Sequence, residues 1–186
     1  DRAAVDRLLR KKTSGGRPRI IVHPGTSPKT VYKRWDAGQF AAAADLIVAR
    51  HGGEVIVTGG PGEEEIVRET ARRMKHPPSI IDVPLSLLEL AALFETADLY
   101  IGGDTGPTHI ASFVGTPVVA VFGPTDPVEN EPYSGTPFRV VRVPSPCAPC
   151  WEKACGRADC FKGVTPRMVA RAAEELLSRT GKTGGR

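Results

Sequence analysis

Leu99-Tyr100-Ile101-Gly102-Gly103-Asp104-Thr105-Gly106-Pro107-Thr108-His109, followed by Thr116-Pro117-Val118-Val119-Ala120-Val121-Phe122-Gly123-Pro124-Thr125-Asp126-Pro127, decides the fold. An apolar strand runs into a Gly-rich turn and a short helix, and a second apolar strand then ends in a Gly-Pro-Thr-Asp-Pro loop. Glycines let backbone N–H groups come close to a ligand, and a helix start carries unpaired donors and partial positive charge. That combination suits a phosphate or diphosphate. Thr105 and His109 are four positions apart, so a helix would present both on one face.

Outward from this stretch, strand and helix signals alternate. Apolar, β-branched runs predict strands at Arg19–His23, Glu54–Thr58, Ile80–Asp82, Leu99–Ile101, Val118–Phe122 and Phe138–Val143. Helices are predicted over Val5–Arg10, from Asp36 (with Gln39 as capping-box partner) to Gly52-Gly53, over Glu63–Met74, from Ser86 with Glu89 to Thr96, over Pro107–Val114, and from Thr165-Pro166 onward. Pro24–Trp35 reads as a loop. Such alternation predicts an α/β fold, a doubly wound, Rossmann-like parallel sheet with helices on both faces. Ligands of such sheets sit outside the carboxyl ends of the strands. The loops there are Pro24–Arg34, Gly59–Gly62, Val83–Ser86, Gly102–Thr108 and Gly123–Asp126.

The 186 residues suffice for one domain with a core of its own. A hydrophobic fraction of 40% with 25% charged residues is that of a globular chain. Part of the net charge of +4 sits at the ends, from Arg7 to Arg19 and from Arg179 to Arg186. No aromatic residues interleave with these charges, so solvated termini are expected and nucleic acid is not an expected partner. No apolar run approaches the ~20 residues that cross a bilayer, and no signal-peptide pattern is visible. The chain starts at Asp1 and ends in Gly181-Lys182-Thr183-Gly184-Gly185-Arg186, and both ends read as cuts or tails of a longer, soluble, intracellular protein. The expected organisation is a tail or interdomain segment over 1–18, a nucleotide-sugar-binding domain over 19–180 and a flexible tail over 181–186.

Four blocks resemble the C-terminal domain of family 9 glycosyltransferases, the lipopolysaccharide heptosyltransferases. They are His23-Pro24-Gly25-Thr26 leading to Lys33-Arg34-Trp35, Thr58-Gly59-Gly60-Pro61-Gly62-Glu63, Gly103-Asp104-Thr105-Gly106-Pro107-Thr108-His109, and Phe122-Gly123-Pro124-Thr125-Asp126-Pro127. The resemblance implies the C-terminal half of a GT-B fold that binds a nucleotide-sugar donor, ADP-heptose in the best-known members. It implies transfer of heptose, with inversion, to a lipid-linked lipopolysaccharide-core acceptor, in the cytoplasm or peripherally at the inner membrane. Carried over by position, Thr26 and Ser27 would contact the diphosphate and Lys33 would stabilise it as it leaves. Glu63 would bond the ribose, Leu85 would pack near the adenine, and Asp104, Thr105, Gly106 and His109 would line the diphosphate and sugar. The general base of this family is an acidic residue of the N-terminal domain, so this chain alone is expected to bind donor without turnover. A transferase using another nucleotide sugar and a non-catalytic nucleotide-sugar-binding module stay open.

Each of these residues also has a plainer role. Lys33 could be solvated, Glu63 could cap a helix, Asp104 could tie the turn, His109 could be buried and satisfied, and Asp126 fixes the turn between Pro124 and Pro127. Lysine and helix dipoles already supply positive charge, so no cofactor is required for catalysis. The cysteines Cys147, Cys150, Cys155 and Cys160 cluster after a Pro-rich loop, near Trp151. Structural zinc or an iron–sulfur cluster, unliganded structural thiols and disulfides are the three readings of that spacing, none of them catalytic.

Overall fold

The computed structural model describes residues 1–179 apart from 151, 153, 154 and 156. The strands are β1 (Arg19–His23), β2 (Glu54–Thr58), β3 (Ser79–Ile81), β4 (Leu99–Gly103), β5 (Val118–Val121) and β6 (Phe138–Val141). They form one all-parallel sheet in the order β3-β2-β1-β4-β5-β6. This is the doubly wound order expected from the alternating elements. The four inner strands are buried along their whole length, which is why they read as continuous apolar runs.

Alternate residues serve two cores. Ile20, Val22, Val55, Val57, Leu99, Ile101, Val119 and Val121 face α2 (Ala37–His51), α3 (Glu64–Arg73) and α7 (Pro166–Arg179). Ile21, Ile56, Ile81, Tyr100, Val118 and Ala120 face α1 (Arg2–Lys12), α4 (Leu87–Glu95) and α5 (Gly106–Phe113). The chain reverses direction of winding between β1 and β4, where Val22 pairs with Ile101 and His23 with Gly102. A crevice opens at such a point because the helices leaving the two strands diverge to opposite faces.

Helix ends follow the local signals, with three departures. Ser86 and Glu89 form the full reciprocal capping box on α4. Asp36 caps α2 by accepting the N–H groups of Gly38 and Gln39, but Gln39 stays in solvent and makes no return bond. The Pro24–Trp35 loop contains a 3₁₀ helix, Pro28–Lys33, that brings Lys33 back to the sheet edge. Finally, α1 does not trail from the domain: Val5 and Leu9 are buried in the same core as α4, so part of segment 1–18 packs on the sheet. Asp126 accepts the Val128 N–H and caps α6 (Pro127–Asn130), the turn-fixing role expected of it. The tail at 181–186 lies outside the described residues.

Candidate functional site

A cleft of about 570 Å³ lies at the carboxyl ends of β1, β2 and β4, on the crevice between the two halves of the sheet. Its floor is made by the turn from β4 into α5. Thr105 takes the cap position of α5 without spending its side chain on a cap bond, and Gly106 and Pro107 begin the helix. The Gly106 N–H therefore lacks an intrahelical acceptor at the positive end of the helix dipole, while Pro107 carries no N–H and the Thr108 N–H donates to the Thr105 carbonyl. Gly106 has open space where a side chain would stand. An anion fits there.

Lys33 comes from the far side. Its Nζ donates to Asp104 Oδ2 at 2.7 Å, with both side chains largely withdrawn from solvent. The cation is thus held at the cleft rather than solvated, and Asp104 is tied to it instead of to its own turn. His109 lines the cleft and is exposed, so it is not a buried, satisfied histidine. Thr105 and His109 do face the same space, as their spacing predicts.

The wall toward β2 is built on Glu63. It precedes α3 as its cap residue, yet its side chain makes no cap bond. Instead Glu63 Oε2 accepts the Gly60 N–H at 2.8 Å and lies 3.1 Å from His23 Nε2. Burial raises its pKa, but the hydrogen bond and charge of His23, the Gly60 N–H and nearby Arg34 outweigh that and hold it below the usual carboxylate range. A Cβ on Gly25 would collide with this carboxylate, so only glycine lets Glu63 lie where it does. The third wall is apolar: Val83, Pro84, Leu85, Leu87 and Leu90, from the β3–α4 connection and the start of α4. Leu87 is 72% exposed, an apolar surface that a flat ring could cover.

Eight of the nine expected site residues therefore line one cleft: Ser27, Lys33, Glu63, Leu85, Asp104, Thr105, Gly106 and His109. Thr26 does not. It is buried behind the wall, and its carbonyl accepts from the Arg34 guanidinium at 2.8 Å. Sequence reasoning passed over His23 and Arg34 as site residues, although a histidine closing an apolar strand at its carboxyl end was a visible signal. Buried atoms without hydrogen-bond partners gather at this end of the sheet: His23 Nδ1, Thr26 Oγ1, Arg34 Nε, Thr58 Oγ1, Thr105 Oγ1 and Thr125 Oγ1. Polar atoms buried without partners are costly, and they are tolerated where a ligand or ordered water completes them.

The cysteine cluster behaves differently. Its sulfurs are occupied locally: Cys147 with the Ser145 hydroxyl and Cys150 with the Glu152 N–H. Cys155 takes the N–H groups of Ala158 and Arg157, and Cys160 is buried in the core. All four are free thiols, which corrects the disulfide reading. Among the described residues no group of three or more His, Cys, Asp or Glu side chains could hold a metal ion. The geometry thus gives the zinc and iron–sulfur readings no support. Trp151 lies outside the described residues. The segment is tied to the loop after β5, with the Cys150 N–H donating to the Pro124 carbonyl at 2.7 Å.

The family model described as glycosyltransferase family 9 (heptosyltransferase) matches residues 3–160. Lipopolysaccharide heptosyltransferase 3 of Escherichia coli is 35% identical over 172 residues, covering 91% of this chain and 49% of that protein. Lipooligosaccharide heptosyltransferase 2 of Campylobacter jejuni subsp. jejuni serotype O:2 is 28% identical over 171 residues, covering 89% of this chain and 53% of that protein. The crystal structure of a family 9 glycosyl transferase from Veillonella parvula DSM 2008 superposes with a TM-score of 0.78 at 26% identity, over 96% of this chain and 51% of that one. The fold is shared too with ADP-heptose lps heptosyltransferase II of E. coli, at a TM-score of 0.76 and 20% identity over 97% of this chain and 52% of that one. The chain spans about half the length of the curated relatives it matches.

Proposed function

This chain belongs to glycosyltransferase family 9, and on that premise we propose that it is the donor-binding domain of an inverting transferase that moves heptose from ADP-heptose to a lipopolysaccharide-core acceptor. The observation that carries this reading is the cleft itself. A helix N-terminus, the Lys33 cation, a carboxylate at Glu63 and an apolar wall at Leu85 and Leu87 line one space. That is the complement of a nucleoside diphosphate: base on the leucines, ribose on Glu63, diphosphate between Lys33 and α5.

In glycosyl transfer the bond from the anomeric carbon to the diphosphate breaks, and negative charge grows on the departing phosphate oxygen. Lys33, the Gly106 N–H and the positive end of the α5 dipole stabilise that charge as it develops. Because these groups supply the positive charge, the scheme calls on no metal ion. Asp104, held by Lys33, and His109 stand at the sugar end. The acceptor hydroxyl loses its proton to a base on the acceptor-binding half of the protein, an assignment that the family resemblance supplies. The nucleotide-binding unit is residues 19–180, with α1 packed against it. Among the described residues no helix is long and apolar enough to cross a membrane. A lipid-linked acceptor would bring the enzyme to the cytoplasmic face of the inner membrane, and that contact is part of the proposal.

Calorimetric titration with ADP, UDP and GDP tests the reading, alongside Lys33→Ala and His109→Ala. ADP is expected to bind selectively, and Lys33→Ala to weaken it by about 10- to 100-fold, the loss of one charge-assisted hydrogen bond. Preference for another base would discard ADP-heptose, and indifference of ADP affinity to both substitutions would remove the cleft as the donor site.

A further inference from the structure

Three facts about Glu63 converge. It is buried, yet it spends nothing on capping the helix it begins. One of its oxygens, Oε2, takes both protein partners, His23 Nε2 and the Gly60 N–H, and Oε1 takes neither. Gly25 is the residue whose missing side chain makes room for it. His23, from β1, is itself buried to 1% exposure and lines the same cleft. An ionised carboxylate only accepts hydrogen bonds, so Nε2 must carry the proton that joins the two residues, which leaves Nδ1 as the partnerless nitrogen.

A free glutamate side chain has three rotatable bonds, and ordering it costs conformational entropy on each binding event. Here the cost is met in the fold, by a histidine from one strand and an amide from the turn after another. A carboxylate clamped at one oxygen presents the other in a fixed position. Two hydroxyls on adjacent carbons are the groups such an oxygen can select, because it accepts from both.

We infer that His23 is a positioning residue: by clamping Glu63 Oε2 it leaves Oε1 as the oxygen that reads the diol of the bound nucleotide, and so sets the site's preference for ribose over sugars lacking those hydroxyls. This rests on the donor-site reading above and deepens it. Arg34, whose guanidinium donates to the Thr26 carbonyl at 2.8 Å, is the nearby charge that favours the ionised carboxylate.

The experiment compares affinities for ADP and 2′,3′-dideoxy-ADP in the unaltered chain, His23→Ala, His23→Gln and Glu63→Gln, with thermal unfolding to show that each variant is folded. The unaltered chain should prefer ADP by about tenfold or more, the worth of one or two hydrogen bonds to a charged group. His23→Ala should lose most of that preference while its affinity for dideoxy-ADP stays within about twofold. His23→Gln places an amide N–H near the position of Nε2 and should restore the preference, which a merely structural role would not explain. A folded His23→Ala that keeps the full preference overturns the clamp. ADP binding without any preference in the unaltered chain overturns it too, while leaving the donor site intact. Failure to bind either nucleotide overturns the donor-site reading, and the clamp with it.

Discussion

Lys33 Nζ and Asp104 Oδ2 meet at 2.7 Å although their residues stand 71 positions apart. The 3₁₀ helix after β1 and the turn after β4 bring them together because β1 and β4 are neighbours. In the proposed donor site, the cation that would meet the diphosphate is kept in place by a carboxylate that the incoming anion must share it with. Lys33→Ala should lower affinity for ADP and also leave Asp104 as an unpaired, buried acid, at a cost to stability of about 1.5–3 kcal/mol. The double variant Lys33→Ala with Asp104→Asn should recover part of the stability and none of the affinity. Chemical unfolding and calorimetry on the four proteins of this cycle separate the two effects.

Gly25→Ala should displace Glu63, since the new Cβ and the carboxylate cannot occupy the same space. The expected result is a loss of about 1–3 kcal/mol in stability from overpacking. It should be accompanied by loss of any preference for ADP over dideoxy-ADP. Unchanged unfolding midpoints and unchanged nucleotide preference would show that the loop has room to yield.

Two buried carboxylates far from the cleft should dominate acid sensitivity. Asp45, on α2, accepts the N–H groups of Lys75 and His76 and bonds the His76 ring. Glu54 accepts from Arg19 at 2.6 Å and from Ser14 and Gly15. Burial raises both pKa values, but these donors outweigh it and leave both lowered from 3.8 and 4.5. The unfolded chain then binds more protons than the folded one between the two values. Stability is full above the ordinary carboxylate range and falls as pH drops through the lowered values. Asp45→Asn and Glu54→Gln should each be less stable near neutrality and lose less on acidification. Urea midpoints from about pH 3 to about pH 7 would show this.

Alkylation should distinguish the thiols. The N–H groups of Ala158 and Arg157 lower the pKa of Cys155, while burial, then the neighbouring Cys147, raises that of Cys160. The thiolate is the reactive form, so Cys155 should be labelled first by iodoacetamide and Cys160 last. Mass spectrometry of peptides from a time course reads the order directly. Equal rates at both positions would mean that the segment does not hold this arrangement in solution.

Five of the six strand starts, the capping box at Ser86 and Glu89, and the loops that carry the cleft are legible in the chain because each depends on neighbours in sequence. β-branched runs such as Arg19–His23 bury both faces wherever they are placed, and a Gly-rich turn before a helix start exposes the same amides in any fold. That information is local, and it determined an α/β sheet with a helix start and Gly-rich turns gathered at one end. Tertiary structure alone decided what each polar residue does there. It paired Lys33 with Asp104, which sequence left between a solvated lysine and a turn-tying acid. It buried Thr26 and left His109 open, and it turned Glu63 from a helix cap toward His23. It left the four cysteines as neighbouring free thiols, where close spacing alone had allowed disulfides. These outcomes rest on which strands lie side by side, and strand order is set by the packing of helices on two faces, a property that no single stretch of sequence contains.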